Sequence, residues 1–224
     1  MYTVVYLSNV PANIDYKHFY SQLANNLGKQ IDIGEDLQTG NKTAERWVDV
    51  KYDACLNFTF QHSNTRQPLH TDAAYSGIQM DINFFFCLQN APVGGATTFA
   101  DIELIWKLLE KYEPEIFTKI QTYDVDFRKG NDQKKRSRIL FQGENHYKVN
   151  WNFFRIAPEN DKEVLQLCND FHLFLENKIV HGGLTMAVSL KIGEALFFHD
   201  DEVLHGRNSF YGHRHLVKGG LRLN

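Results

Sequence analysis

The stretch Ile82-Asn83-Phe84-Phe85-Phe86-Cys87-Leu88 constrains the fold of this chain more than any other. It carries apolar side chains on both faces of a pleat, so it reads as a strand covered on both sides. Covering both faces takes more than one further layer of structure. Short strand-like runs recur elsewhere, at Thr3 to Leu7, as two pieces around a turn within Val48 to Phe60, and at Thr122 to Phe127, Arg138 to Gln142 and Tyr147 to Phe154. Three more lie near the end, at Leu184 to Leu190, Glu194 to Phe198 and Arg214 to Leu223. Gly and Asn punctuate them, as in the turn Ala91-Pro92-Val93-Gly94-Gly95. Helical spacing marks Asp15 to Leu27, Asp101 to Tyr112, a short piece opened by Pro114, and Asp161 to Lys178. In the last of these Val164, Leu167, Cys168, Phe171, Phe174 and Leu175 form one stripe. The pattern predicts a mainly β chain with flanking helices, a double-sheet barrel or jelly roll.

Length and charge narrow the function classes. A chain of 224 residues suits one domain spanning 1–224. There are 27 acids against 24 bases, a net charge of −3, so no basic excess invites nucleic acid. No apolar segment approaches the ~20 residues of a membrane span, and the first ten residues lack a basic leader. Cys55, Cys87 and Cys168 are too widely spaced for a disulfide framework or a zinc cluster. Cys87, inside the apolar run, reads as a buried free thiol. These features predict a soluble, cytoplasmic protein whose partner is a small molecule. Arg128 to Arg138 holds six bases against one acid, Asp132, and reads as a solvated loop. A flap over an anionic substrate is the functional alternative for it.

Ten histidines invite a search for metal ligands. In Gln67-Pro68-Leu69-His70-Thr71-Asp72 the proline disfavours helix and favours an extended segment. Residues i and i+2 of such a segment point the same way, so His70 and Asp72 can share an ion. A lone His-x-Asp is weak evidence, and a second histidine must come from elsewhere. His205, in Val203-Leu204-His205-Gly206-Arg207, is the candidate. Two imidazoles and one carboxylate leave three positions open, as in non-haem Fe(II) oxygenases.

Four motifs in order carry a resemblance: His70-Thr71-Asp72, then Gly94-Gly95-Ala96-Thr97-Thr98-Phe99-Ala100-Asp101, then Leu204-His205-Gly206-Arg207, then Arg214-His215-Leu216. From about Asn57 to Leu223 the chain resembles the taurine dioxygenase/clavaminate synthase-like family of Fe(II)- and 2-oxoglutarate-dependent dioxygenases. The last two motifs also resemble its γ-butyrobetaine hydroxylase branch. The resemblance implies a double-stranded β-helix with iron at one open end. It implies His70, Asp72 and His205 as the catalytic iron ligands. It implies Arg214 for the distal carboxylate of 2-oxoglutarate and Thr97 for a hydrogen bond to the same cosubstrate. A guanidinium fork suits that carboxylate. A second base often follows the arginine in this family; here it is Lys218, which keeps the charge without the fork.

The activity implied consumes O2 and 2-oxoglutarate, releases succinate and CO2, and hydroxylates or desaturates a small polar metabolite such as an amino acid. Related halogenases leave the Asp72 position to chloride, so halogenation is not expected here. Tyr75 and Arg207 are candidates for substrate contact, Arg207 having a structural ion pair as its other reading, and Arg66 and Arg222 are weaker candidates. His62, His199, His213 and His215 read as structural, and Asp200 and Asp201 as the turn before His205. Gly94 and Gly95 read as a tight turn presenting Thr97. If Tyr147 to Phe154 is one strand, Trp151 and Phe153 share a face. The chain is short for the family, which implies a pared-down lid or one supplied by a neighbouring subunit of a homo-oligomer. Two other readings are a non-catalytic metal-binding jelly-roll module and a zinc hydrolase using the same ligands. A cosubstrate anchor made of Thr97 and Arg214 argues for the oxygenase over the module.

Overall fold

A computed structural model of the chain describes residues 3–143 and 146–223. The strands in the first half are β1 (Val4–Leu7), β2 (Gly28–Ile31), β3 (Val48–Lys51), β4 (Gln67–His70), β5 (Ile82–Gln89), β6 (Val93–Gly94) and β7 (Thr97–Asp101). Then come β8 (Val125–Lys129), β9 (Gln133–Ser137), β10 (Leu140–Gln142), β11 (Tyr147–Val149), β12 (Met186–Val188), β13 (Ala195–His199), β14 (Val203–Arg207), β15 (Phe210–Tyr211) and β16 (His215–Leu223). The α-helices are α1 (Tyr16–Leu27), α2 (Ile102–Tyr112), α3 (Pro114–Thr122) and α4 (Lys162–Phe174).

Two antiparallel sheets form the barrel. The larger runs β1-β13-β5-β16-β2, with β3 also on β16; the smaller runs β12-β7-β14-β4. The apolar run Ile82 to Leu88 is β5, near the middle of the larger sheet, and both of its faces are covered. Phe84 and Phe86 point outward onto Tyr20 and Ala24 of α1. Phe85 and Cys87 point inward, into a core shared with Phe99, Leu196, Phe198, Val203 and Leu216. That alternation is why the strand reads as apolar on both pleat faces. A third core packs α2, α3 and α4 around Trp151 on the other flank. This is the jelly roll with outer helices that the sequence predicts. Cys55, Cys87 and Cys168 are free thiols. Among the described residues no helix is long and apolar enough to cross a membrane.

The structure corrects four local expectations. Arg128 to Arg138 is not a solvated loop: β8 and β9 form a hairpin in which Val125, Phe127 and Gln133 are buried while charged neighbours alternate outward. The density of charge hides this period of two. Val48 to Phe60 holds one strand, β3; beyond it the Asp53 carboxylate accepts from the Cys55 N–H and the chain winds through turns. Tyr147 to Phe154 is strand only to Val149. Beyond it Trp151 hydrogen-bonds to Thr71 and Asn150 to Ala74, which bends the segment into a 3-10 turn at Phe153–Arg155. Trp151 and Phe153 still lie on one side despite the bend: their rings are 6.3 Å apart in the same core, with Phe153 also stacked on His172. Asp161 to Lys178 is α-helical only to Phe174 and continues as a π turn, Leu175–Val180.

Phe86 is fully buried and stacks on Tyr20 at 4.7 Å. Phe86→Ala is expected to lower unfolding free energy by about 3–5 kcal/mol. Denaturant unfolding measures this, and a loss below about 1 kcal/mol contradicts the two-sided role given to β5.

Candidate active site

Two strands of the smaller sheet carry the histidines. β4 is its edge strand, and its pairing with β14 is irregular around Pro68, both settings that accommodate a proline. β14 pairs with it in a register that sets His205 opposite His70. The rings lie 4.2 Å apart, centre to centre. After His70 the chain turns, and the Asp72 carboxylate comes between the imidazoles. Its Oδ1 is 3.7 Å from His70 Nε2 and its Oδ2 is 3.4 Å from His205 Nε2. One donor atom from each of the three lies within 4.8 Å of the others.

Protonation suits these groups to a metal. His70 Nδ1 sits 2.9 Å from the Pro68 carbonyl, which only accepts, so Nδ1 carries the hydrogen and Nε2 keeps its lone pair. Burial and the nearby His70 hold His205 below its ordinary pKa, hence neutral. Burial opposes charge on Asp72, but Lys218, His205 and His70 keep its carboxyl well below the usual range. The Lys218 ammonium, 2.7 Å from Asp72 Oδ2, shows that the site favours positive charge. Two neutral imidazoles and a carboxylate, gathered at one wall of a cavity, fit a ferrous ion.

Asp72 is itself held in place. The buried Asp200 carboxylate accepts the backbone N–H groups of Asp72 and Ala73, each at 3.0 Å, and so shapes the turn. Asn83, fully buried on β5, donates to Asp72 Oδ2 and lies 3.5 Å from Asp200 Oδ1. Phe198, 4.8 Å from the His205 ring, and Phe85, at 6.1 Å, pack against the second histidine.

A cavity of about 580 Å³ opens over His70, Asp72 and His205, a size for two small molecules together. Arg214, just before β16, faces it and is 6% exposed. Gly95, at φ +75°, makes room for it: a Cβ there would fall 2.9 Å from Arg214 Cδ. Burial, then the nearby Arg207, push the Arg214 guanidinium down to about 9. Among the described residues no carboxylate pairs with it. Such a buried cation is costly without an anion, and a bound carboxylate would offset the cost. Thr97, on β7, lines the same cavity and is almost fully buried.

The remaining candidates fall as follows. Tyr75 lines the cavity, and its hydroxyl donates to Glu35 at 3.0 Å; burial and Glu35 raise it well above the ordinary phenol. Arg207 gives its donors to the carbonyls of Phe60 and Thr65 and to Ser63 Oγ, and so holds the loop before β4. Arg66 pairs with Glu176, and Arg222 is exposed. His62 bonds the Lys51 carbonyl, His215 bonds Asp49, His199 lies 3.7 Å from Glu202, and His213 is exposed. The sequence did not single out Glu35, Arg155 or Asn83, marked Lys129 only as one base of the Arg128 to Arg138 stretch, and suggested Asp200 as a turn residue. Asn83 had a signal, being the one polar residue in the apolar run. Glu35 and Arg155 had none, being single charges in stretches without a motif, whereas Lys129 belongs to the basic stretch offered as a loop or a flap.

Comparison with known proteins defines the class. The family described as Taurine catabolism dioxygenase TauD, TfdA family matches residues 2–219. The chain belongs to this family. It is a 2-oxoglutarate-dependent non-haem iron dioxygenase, working with Fe(II), 2-oxoglutarate and O2. Among solved structures it is similar to asparagine oxygenase in complex with Fe(II), 2S,3S-3-hydroxyasparagine and succinate, at TM-score 0.76 and 12% identity, covering 99% of this chain and 74% of that one. It is also similar to the non-haem iron oxygenase OrfP in complex with (3S)-hydroxy-L-Arg, at TM-score 0.68 and 14% identity, covering 95% and 68%. A taurine dioxygenase from Burkholderia xenovorans aligns at TM-score 0.67 and 12% identity, covering 100% and 76%. At these identities the likeness is one of fold. No curated protein matches the chain.

Asp200→Ala frees the turn that carries Asp72. It is expected to weaken Fe(II) retention about 10–100-fold while leaving the fold intact. Anaerobic equilibrium dialysis measures this, and unchanged Fe(II) affinity contradicts the role given to Asp200.

Proposed function

We propose that residues 1–224 form one catalytic domain that hydroxylates or desaturates a free amino acid or similar small polar metabolite. The observation that carries the assignment of roles is the pairing of His70 with His205 across β4 and β14, with Asp72 between them and the unpaired Arg214 facing the same cavity. The choice of amino acids is supported by the hydroxylated asparagine and arginine held by two proteins of the same fold. The three free cysteines and the absence of a basic excess support a reducing cytoplasm and a small-molecule partner rather than nucleic acid or membrane.

His70 Nε2, Asp72 and His205 Nε2 would hold the iron, at the wall of a cavity with room for cosubstrate and substrate. Bound Fe(II) with 2-oxoglutarate and O2 supplies the oxidant, and succinate and CO2 are released. The chain supplies the rest. Arg214 draws the distal carboxylate of 2-oxoglutarate inward with a two-pronged donor, and the Thr97 hydroxyl adds a third. Phe85 and Leu216 line the inner wall and keep it apolar, which excludes water from the reacting atoms. Asp200 and Asn83 hold Asp72 at a fixed angle, so the ligands are ordered before the ion arrives. An unpaired, buried Arg214 has no purpose in a metal-binding module without cosubstrate, which favours the enzyme over that alternative.

Succinate release with Fe(II) and 2-oxoglutarate tests this. Asp72→Ala and His205→Ala are each expected to abolish it. Arg214→Ala is expected to raise the half-saturating 2-oxoglutarate concentration by about tenfold or more, with the iron requirement changed far less. Near-normal turnover in either ligand variant, or release independent of 2-oxoglutarate, contradicts the assignment.

A further inference from the structure

The cavity wall away from Arg214 is built from groups outside the family motifs. Glu35, in the loop between β2 and β3, receives the Tyr75 hydroxyl at 3.0 Å and the Gln133 amide at 2.7 Å, and pairs with Lys129. Gln133 also donates to the Gly40 carbonyl at 2.7 Å. The β2–β3 loop and the β8–β9 hairpin are thereby joined over the cavity. Glu35 already has a full set of donors and one cation, which makes it a brace for the wall.

Arg155 stands in the same wall without an acid. It ends the 3-10 turn Phe153–Arg155, which is tied to the metal-binding turn by the Thr71–Trp151 and Asn150–Ala74 hydrogen bonds. Its guanidinium lies over the Tyr75 ring at 5.4 Å, with Lys129 Nζ 5.5 Å from the same ring. The charges near Tyr75 do not balance. Glu35 pairs with Lys129, and Asp72 pairs with Lys218. Among the described residues Arg155 has no carboxylate partner and its side chain makes no hydrogen bond. Of the other cavity arginines, Arg207 is occupied by Phe60, Ser63 and Thr65, and Arg214 is the cosubstrate anchor. One guanidinium therefore stands unused on the substrate side, positioned by a ring and aimed into the cavity that holds the ligand triad. A planar fork of donors over an aromatic face is suited to a carboxylate.

We propose that Arg155 reads a free carboxylate on the primary substrate, so that the cavity holds two carboxylate positions: Arg214 for 2-oxoglutarate and Arg155 for the molecule to be oxidised. This rests on the dioxygenase reading and narrows its substrate to acids with an unblocked carboxylate. Amides, esters and decarboxylated amines of the same skeleton are excluded.

The test uses the anaerobic holoenzyme with Fe(II) and saturating 2-oxoglutarate, whose weak visible absorption band reports that the cosubstrate is seated. Absence of the band overturns the dioxygenase reading and the inference with it; with the band present, the result concerns Arg155 alone. Malonate and malonamide are then titrated against the melting temperature. Saturable stabilisation by malonate is expected, about tenfold or more weaker for malonamide. Arg155→Ala is expected to weaken the malonate response about tenfold and Arg155→Lys by less, with the 2-oxoglutarate dependence of the band moved by less than about twofold. Arg136→Ala, on the exposed face of the hairpin, serves as the control and is expected to change neither. Three results overturn the proposal: no saturable malonate response in the wild type, equal response to malonamide, or an unchanged response in both Arg155 variants. An equal loss of 2-oxoglutarate binding in Arg155→Ala moves Arg155 to the cosubstrate and overturns it as well.

Discussion

Everything in the site depends on the antiparallel pairing of β14 with β4. That ladder places His205 across from His70, and no local feature of either strand could do so alone. The two histidines are 135 residues apart in sequence, so the site exists only once the smaller sheet has closed. A register slip of one residue would send one imidazole to the opposite face. The apolar packing of Phe85 and Phe198 around His205 and the bonds of Asp200 to the Asp72 turn both act to hold that register.

The scaffold also separates charge. One side of the cavity carries Arg214, buried beside Gly95 and Phe210, with Arg207 over the same ring. Another carries Glu35, Lys129 and Arg155 around Tyr75, with Asp72 and Lys218 between. A low-dielectric pocket strengthens each of these interactions, so an unpaired guanidinium there has large consequences for what binds. Arg214 and Arg155 differ in that respect from Arg207, whose two terminal nitrogens meet backbone or hydroxyl oxygens of one loop.

The residues that the structure gathers at one cavity, His70, Asp72, His205 and Arg214, were legible because each lies in a short motif of distinctive residue types. His70 and Asp72 are two residues apart, and Pro68 makes their strand extended. β5 was legible because burial on both faces leaves no room for polar residues, with Asn83 as the informative exception. The β8–β9 hairpin was not, because its inward positions are few and its outward ones strongly charged. The Tyr147 to Phe154 segment misled because its aromatic residues suit a strand, whereas tertiary hydrogen bonds to Thr71 and Ala74 bend it. Glu35, Lys129 and Arg155 come from three distant segments, and only the fold makes them neighbours.

An anaerobic crystal structure with Fe(II) and 2-oxoglutarate addresses the central claim most directly. The account predicts iron density bonded to His70 Nε2, an Asp72 oxygen and His205 Nε2, with the distal cosubstrate carboxylate on Arg214. Iron bound elsewhere, or a cosubstrate carboxylate away from Arg214, would contradict it.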